Sequence, residues 1–210
     1  MKKLFSALLF CLLFPLTALA QDYSDGHGYT TIADPVPTND PNKVQVVEVF
    51  WYGCPHCFRL EPYTQEWKKT IPDYVDFQYL PAVFGRGWLN HAKAFYVAKL
   101  LGVENKLHSD LYNAINIDHR RLDTEDSLAE FFTHYGVSEA EFKKQFNSFA
   151  VQSRLAQADA RIRGYGVQGT PTLVVDGKYL VDAETAGGND NIYKVVNYLI
   201  EKEHDKMQLQ

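Results

Sequence analysis

The stretch "VQVVEVFWYGCPHCFRL", Val44 to Leu60, decides how this chain is read. Val44, Val46, Glu48 and Phe50 fall on one face of an extended segment, and Gln45, Val47, Val49 and Trp51 fall on the other. Apolar side chains on both faces predict a central strand covered on two sides. A helix is expected from about Cys54 to Thr70, and "VDFQYLPAV" reads as the next strand. Strand, helix, strand is a βαβ unit, with Cys54 and Cys57 where the first strand meets its helix.

Upstream, "MKKLFSALLFCLLFPLTALA" has the layout of a secretory signal peptide: Lys2 and Lys3, an apolar run, then Ala18-Leu19-Ala20. The run is short, is broken by Pro15 and is followed by polar "QDYSDGHG", which argues against a membrane anchor. Cleavage after Ala20 leaves 190 of the 210 residues and takes the formal charge from −5 to −7. A hydrophobic content of 46% is ample for a buried core, and no second long apolar run suggests a span. Net negative charge without Lys/Arg clusters lacks the electrostatic footprint of a nucleic-acid binder, so that class is set aside. "YTTIADPVP", Tyr29 to Pro37, reads as a short edge strand ended by prolines.

Downstream, the period turns helical from about Gly85 to Arg163. Leu89, Ala92, Phe95, Tyr96, Lys99 and Leu100 predict a helix ended at Gly102, and Leu107, Leu111 and Ile115 a second. Leu128, Phe131, Phe132 and Tyr135 predict a third between Asp123 or Thr124 and Gly136. Ser138 with Glu141 fits a capping box for a fourth, and Val151, Leu155, Ala158 and Ile162 a longer one to Gly164. Strand character returns in "TPTLVVDGKYLV", where Asp176-Gly177 is a hairpin signal, and a last amphipathic helix is expected from about Asn189 to Glu203. The order is βαβ, helical block, ββα.

Cys11 leaves with the signal peptide, so the exported chain keeps Cys54 and Cys57 alone. A zinc site needs about four ligands, C-x-x-C supplies two, and the seven histidines add no second clustered pair. A structural staple would close a loop of two intervening residues, which removes little entropy from the unfolded chain. A redox pair explains more. Residues i and i+3 of a first helical turn face one side and bring two sulfurs within disulfide reach. Cys54 would sit at a helix N-terminus, where unpaired N–H groups and the macrodipole stabilise a thiolate. Pro55 suits the first helical position. His56 either adds charge or a donor to that thiolate or is an exposed polar residue of the first turn. A stabilised thiolate favours the reduced form, so the disulfide becomes a better oxidant. Metal and cofactor are expected to be absent.

"CPHC", the βαβ, helical block, ββα order and "GTPTLVVDGKY" together resemble the DsbA family of periplasmic thiol:disulfide oxidases, over essentially the whole mature chain. The resemblance implies an α/β thioredoxin fold (βαβ…ββα) with an inserted helical domain. Its parts would be a signal peptide at 1–20, a discontinuous thioredoxin-like domain at 21–84 and 156–210, and a helical insert at 85–155. It also implies a low thiol pKa and an oxidising disulfide. Pro171 alone reads as an ordinary trans proline opening a strand; by likeness it is the cis-proline opposite the cysteines. Thr170 departs from the Val that such oxidases often carry.

Glu48 shares a strand face with Val44, Val46 and Phe50, so it suits a buried carboxylate of raised pKa that moves protons, or a strand-end carboxylate reaching solvent. The family has an acidic residue at this place. Trp51, Tyr52 and Phe84 fit either an apolar surface for substrate chains or the core. The activity implied is donation of the Cys54–Cys57 disulfide to unfolded exported polypeptides with free thiols, with reoxidation by a quinone-linked, DsbB-like membrane protein. A disulfide isomerase or reductase of the same fold is the first alternative, and a peptide-binding chaperone with an incidental disulfide the second. The strand carrying the motif begins about two dozen residues after the cleavage point, which leaves no room for the dimerisation domain of the isomerase relatives, so a monomer is expected.

Overall fold

A computed structural model describes residues 23–209; the signal peptide predicted at 1–20 lies outside the described residues. The central strand predicted first is β3, Val44–Phe50, every residue of which is buried. It stands in a six-stranded sheet with β1 (Ser24–Asp25), β2 (Gly28–Thr31), β4 (Val75–Pro81), β5 (Thr172–Val175) and β6 (Tyr179–Val181). The order is β1-β2-β6-β5-β3-β4. β3 pairs parallel with β4 and antiparallel with β5, so helix α1, Pro55–Lys68, is the crossover of the βαβ unit.

The two faces of β3 feed two apolar clusters. Val47 and Val49 pack with the helical block, including Phe95, Leu111, Phe132 and Phe142. Val44 and Val46 pack with Leu60 and Trp67 of α1 and with Ile192, Val195 and Leu199 of the last helix, α7 (Asn189–Gln208). This double burial explains the unbroken apolar run. The helical block comprises a 3-10 turn at Arg86–Trp88, α2 (Leu89–Leu100), α3 (Glu104–Asn116), α4 (Glu125–Thr133), α5 (Glu139–Phe146) and α6 (Phe149–Tyr165). α6 runs unbroken through residue 155, so no element boundary falls at the expected end of the insert. The β5–β6 turn places Asp176 at φ 52° and Gly177 at φ 62°, the left-handed geometry that Asp-Gly signals.

Two local expectations change. The capping box is at α4, where Thr124 Oγ1 accepts from Ser127 N–H at 3.1 Å and Ser127 Oγ accepts from Thr124 N–H at 3.2 Å. At α5 only half of it forms: Ser138 Oγ accepts from Glu141 N–H, but the Glu141 carboxylate is taken by Gln145 and Lys144. Finally, α6 stops at Gly166 (φ 71°) and not at Gly164. Gly164 has a packing role instead, because a Cβ there would lie 3.1 Å from Val36.

Candidate active site

Cys54 is the N-cap of α1, with an extended backbone (φ −87°, ψ 116°). Its main chain is tied on both sides, by Cys54 N–H to the Trp51 carbonyl at 3.0 Å and by Phe58 N–H to the Cys54 carbonyl at 3.0 Å. The Cys57 N–H points at the Cys54 sulfur at 3.5 Å, and the Cys54 thiol donates to the Thr170 carbonyl at 3.4 Å. Thr170-Pro171 is a cis peptide, and the Thr170 carbonyl before Pro171 lies against Cys54. Cys54 retains 7% exposure and Cys57 none.

The two thiols are driven apart electrostatically. A hydrogen bond from the Cys57 thiol, opposed by burial and aided by the Thr170 side chain and by the main-chain N–H groups of Cys57 and His56, lowers Cys54 to about 5. Burial, followed by the neighbouring Cys54, pushes Cys57 far above the ordinary thiol range. One sulfur is therefore a ready thiolate and leaving group, and the other holds its proton. His56 contributes to the sulfur through its main-chain N–H; its exposed imidazole takes the Arg59 guanidinium at 2.9 Å. Pro55 occupies the first helical position.

Glu48 is fully buried, and its charge adds to the upward push on the Cys57 thiol. Burial, with the charge of Glu61 second, raises its carboxyl to about 8, against the hydrogen bond from Thr64 at 3.0 Å. Of the expected substrate surface, Tyr52 is a correction. It is 1% exposed and hydrogen-bonded to His108 Nδ1 at 2.8 Å, because the chain turns inward between β3 and α1. Trp51 is half-buried and stacked on Trp88 at 4.2 Å and 7°; Phe84 is 44% exposed and lies against Trp88. A groove lined by His56, Val167, Gly169, Thr170, Pro171 and Leu180 opens beside Cys54.

Sequence reading missed Glu61, which is 4% exposed on α1 and accepts from Gln65, Tyr79 and Ser109. It also missed His108, which burial lowers to about 3. A helical Glu and a lone His ordinarily read as solvated, and their partners come from β4 and α3, adjacent only in the folded chain. His108 does lie beside Leu111 and Tyr112 at i+3 and i+4, the buried face of α3, which is the one local signal that could have found it.

A buried, asymmetric dithiol at the N-terminus of the crossover helix, opposite a cis-proline, defines a thioredoxin-fold thiol:disulfide oxidoreductase. Residues 45–199 match the family model of the DSBA-like thioredoxin domain, and the chain belongs to that family. It is 41% identical over 191 residues to the thiol:disulfide interchange protein DsbA of Pseudomonas aeruginosa, covering 91% of this chain and 90% of that one. It is 39% identical to the DsbA of Azotobacter vinelandii, covering 87% and 85%. Among solved structures it resembles Pseudomonas aeruginosa DsbA, with TM-score 0.85, 40% identity and coverage of 90% and 98%. It also resembles the oxidoreductase DsbA of Xylella fastidiosa, with TM-score 0.82, 32% identity and coverage of 87% and 98%.

Proposed function

We propose that this protein donates its Cys54–Cys57 disulfide to unfolded exported polypeptides in the periplasm. The observation that carries this reading is the split between the two sulfurs. Cys54 is lowered to about 5 by donors at the helix start, while Cys57 is buried and held protonated. A substrate thiolate attacks Cys54 Sγ, the S–S bond breaks, and Cys57 leaves as a thiolate that takes a proton. A second substrate thiolate then attacks the substrate sulfur of the mixed disulfide, and Cys54 leaves as its stabilised thiolate. The substrate becomes the disulfide and the protein the dithiol, so electrons and protons balance.

In this reading Glu48 supplies the proton to Cys57, being buried, near enough for its charge to reach that thiol, and protonated below about 8. Pro55 and His56 shape the helix start, Thr170 and Pro171 line up the incoming chain beside Cys54, and Trp51 with Phe84 offers apolar contact. Reoxidation falls to a quinone-linked, DsbB-like membrane protein, the protein works as a monomer, and residues 1–20 are removed on export. The helical block forms an insert in a thioredoxin-like domain built from the segments before and after it, with α6 spanning the second junction. The test is oxidative refolding of a reduced, unfolded dithiol protein. Wild type should form the substrate's disulfides stoichiometrically and Cys54→Ala none; equal refolding yield with Cys54→Ala would leave a chaperone.

A further inference from the structure

Cys57, once released, needs a proton in a place water does not reach, and Glu48 gives away its only one in supplying it. Glu48 and Thr64 are both fully buried, and Glu48 Oε1 has no hydrogen-bond partner among the described residues. From the other oxygen a chain of hydroxyls leads outward. Thr64 Oγ1 lies 3.0 Å from Glu48 Oε2 and 2.6 Å from the Tyr193 hydroxyl. Thr64 has a second acceptor in the Leu60 carbonyl at 3.4 Å, so its proton can turn between two partners. Tyr193, on α7, is the one residue of the three that is not fully buried, and burial around its hydroxyl keeps the phenol protonated, well above its ordinary range. Its ring is stacked on Trp67 at 4.7 Å, and the Trp67 indole donates to Asn197 at 2.7 Å, which holds the phenol in place.

We propose that Thr64 and Tyr193 form the proton route between Glu48 and solvent, recharging the carboxyl after each reduction of the disulfide. This rests on the assignment of Glu48 as the proton partner of Cys57. The steps balance as follows. Thiolate attack on Cys54 leaves Cys57 as a thiolate; Glu48 gives it a proton and becomes a carboxylate. Thr64 passes its hydroxyl proton to Glu48, takes one from Tyr193, and Tyr193 takes one from water. The net change is one proton taken from solvent per thiolate consumed.

The ionisable groups around Glu48 are Cys57, Glu61 and Lys68 from α1, Tyr79 from β4, Tyr112 from α3 and Tyr193 from α7. Glu61 is the other conceivable outlet, but its hydrogen bonds go to Gln65, Tyr79 and Ser109 and not to Glu48. The hydroxyl pair is the only hydrogen-bonded connection that Glu48's carboxylate makes among the described residues.

The experiment mixes oxidised protein rapidly with reduced glutathione near pH 7, where Glu48 holds its proton. Mixed-disulfide formation is read by acid quench and mass, and proton uptake by an indicator dye. Glutathione is almost wholly protonated near pH 7, so each thiolate consumed releases one proton. In wild type uptake at Cys57 should match that release without lag and the dye should show no net change, whereas delayed uptake appears as a transient acidification. In Tyr193→Phe and Thr64→Val, which keep ring and volume, uptake should lag the chemistry by about tenfold or more, and Thr64→Ser should remove the lag. Denaturant midpoints of the variants verify that they are folded. Uptake that keeps pace in both variants overturns the route and leaves Glu48 in its role. A lag in Ser109→Ala alone moves the outlet to α3 and also overturns it. Glu48→Gln with unchanged chemistry and uptake removes the Glu48 assignment, and the route with it.

Discussion

The Cys54 sulfur lies 3.4 Å from the carbonyl oxygen of Thr170, a residue 116 positions further along the chain. The contact joins the start of the crossover helix to the segment that leads into β5, and β5 pairs with β3 directly beneath. The reactive sulfur is therefore fixed by the sheet register and not by its own loop alone. With Cys54 at the surface end and Cys57 buried, alkylation of the reduced protein at pH 6 should fall on Cys54 almost exclusively. Peptide mapping of the adduct checks this, and preferential labelling of Cys57 would reverse the assignment of the two sulfurs.

A second prediction concerns stability. Cys54 goes from an ordinary thiol value of 9.0 to about 5 on folding. A depressed folded-state pKa contributes stability that is complete above the unfolded value and is lost as pH falls through the folded one. At pH 7 about half of the interval is in force, worth about 1–3 kcal/mol to the reduced protein after solvent screening of the part-buried sulfur. The disulfide, closing two intervening residues, returns little entropy in exchange. Reduced protein should therefore outlast oxidised protein in denaturant at pH 7, and the difference should shrink toward pH 5. A difference that does not depend on pH would remove the thiolate as its cause.

How much was legible in the sequence follows from the range of the interactions. β3, α1 and the β5–β6 turn were readable because local pattern specifies them: apolar alternation, Pro55 after Cys54, and Asp176-Gly177 at positive φ. The dithiol was readable because its chemistry lies within one helical turn. Tyr52, Glu61, His108 and Tyr193 were not, because burial of a polar side chain depends on partners from other elements. Tyr52 needs His108 of α3, Glu61 needs Ser109 of α3 and Tyr79 of β4, and Tyr193 of α7 reaches Thr64 of α1. Gly164 was misread for the same reason: a glycine near a helix end suggests a cap, while this one admits Val36.

His56 gives a third prediction. Its N–H is among the donors to Cys54, and its imidazole is engaged with Arg59. His56→Ala keeps the N–H, so the Cys54 titration, followed by thiolate absorbance, should rise by less than about one unit. A larger rise would give the imidazole a direct part in holding the thiolate.

Tyr52 should matter to stability and not to exchange. Tyr52→Phe leaves His108 Nδ1 buried without its 2.8 Å partner, a cost of about 1–3 kcal/mol. Urea unfolding should register that loss while the rate of reaction with glutathione stays within about twofold of wild type. A large fall in rate at unchanged stability would return Tyr52 to the substrate surface.

The residue before the motif is constrained in a different way. A Cβ on Gly53 would lie 2.3 Å from the Trp51 ring, which is stacked on Trp88. Gly53→Ala should displace Trp51 and change the tryptophan fluorescence of the folded protein. An unchanged spectrum and unfolding midpoint would mean that the loop yields without disturbing the stack.

The central claim is that this disulfide is built to be given away. Equilibration of the purified mature protein with glutathione buffers of graded composition, at pH 7 and again near pH 5, measures it directly. Thiolate stabilisation at Cys54 should make the pair up to roughly 60 mV more oxidising at pH 7 than the same dithiol with an ordinary thiol there. The protein should therefore be fully reduced in buffers that leave an ordinary structural disulfide intact, and the excess should vanish near pH 5. A pair that stays oxidised in predominantly reduced glutathione, with no such dependence on pH, would contradict the claim.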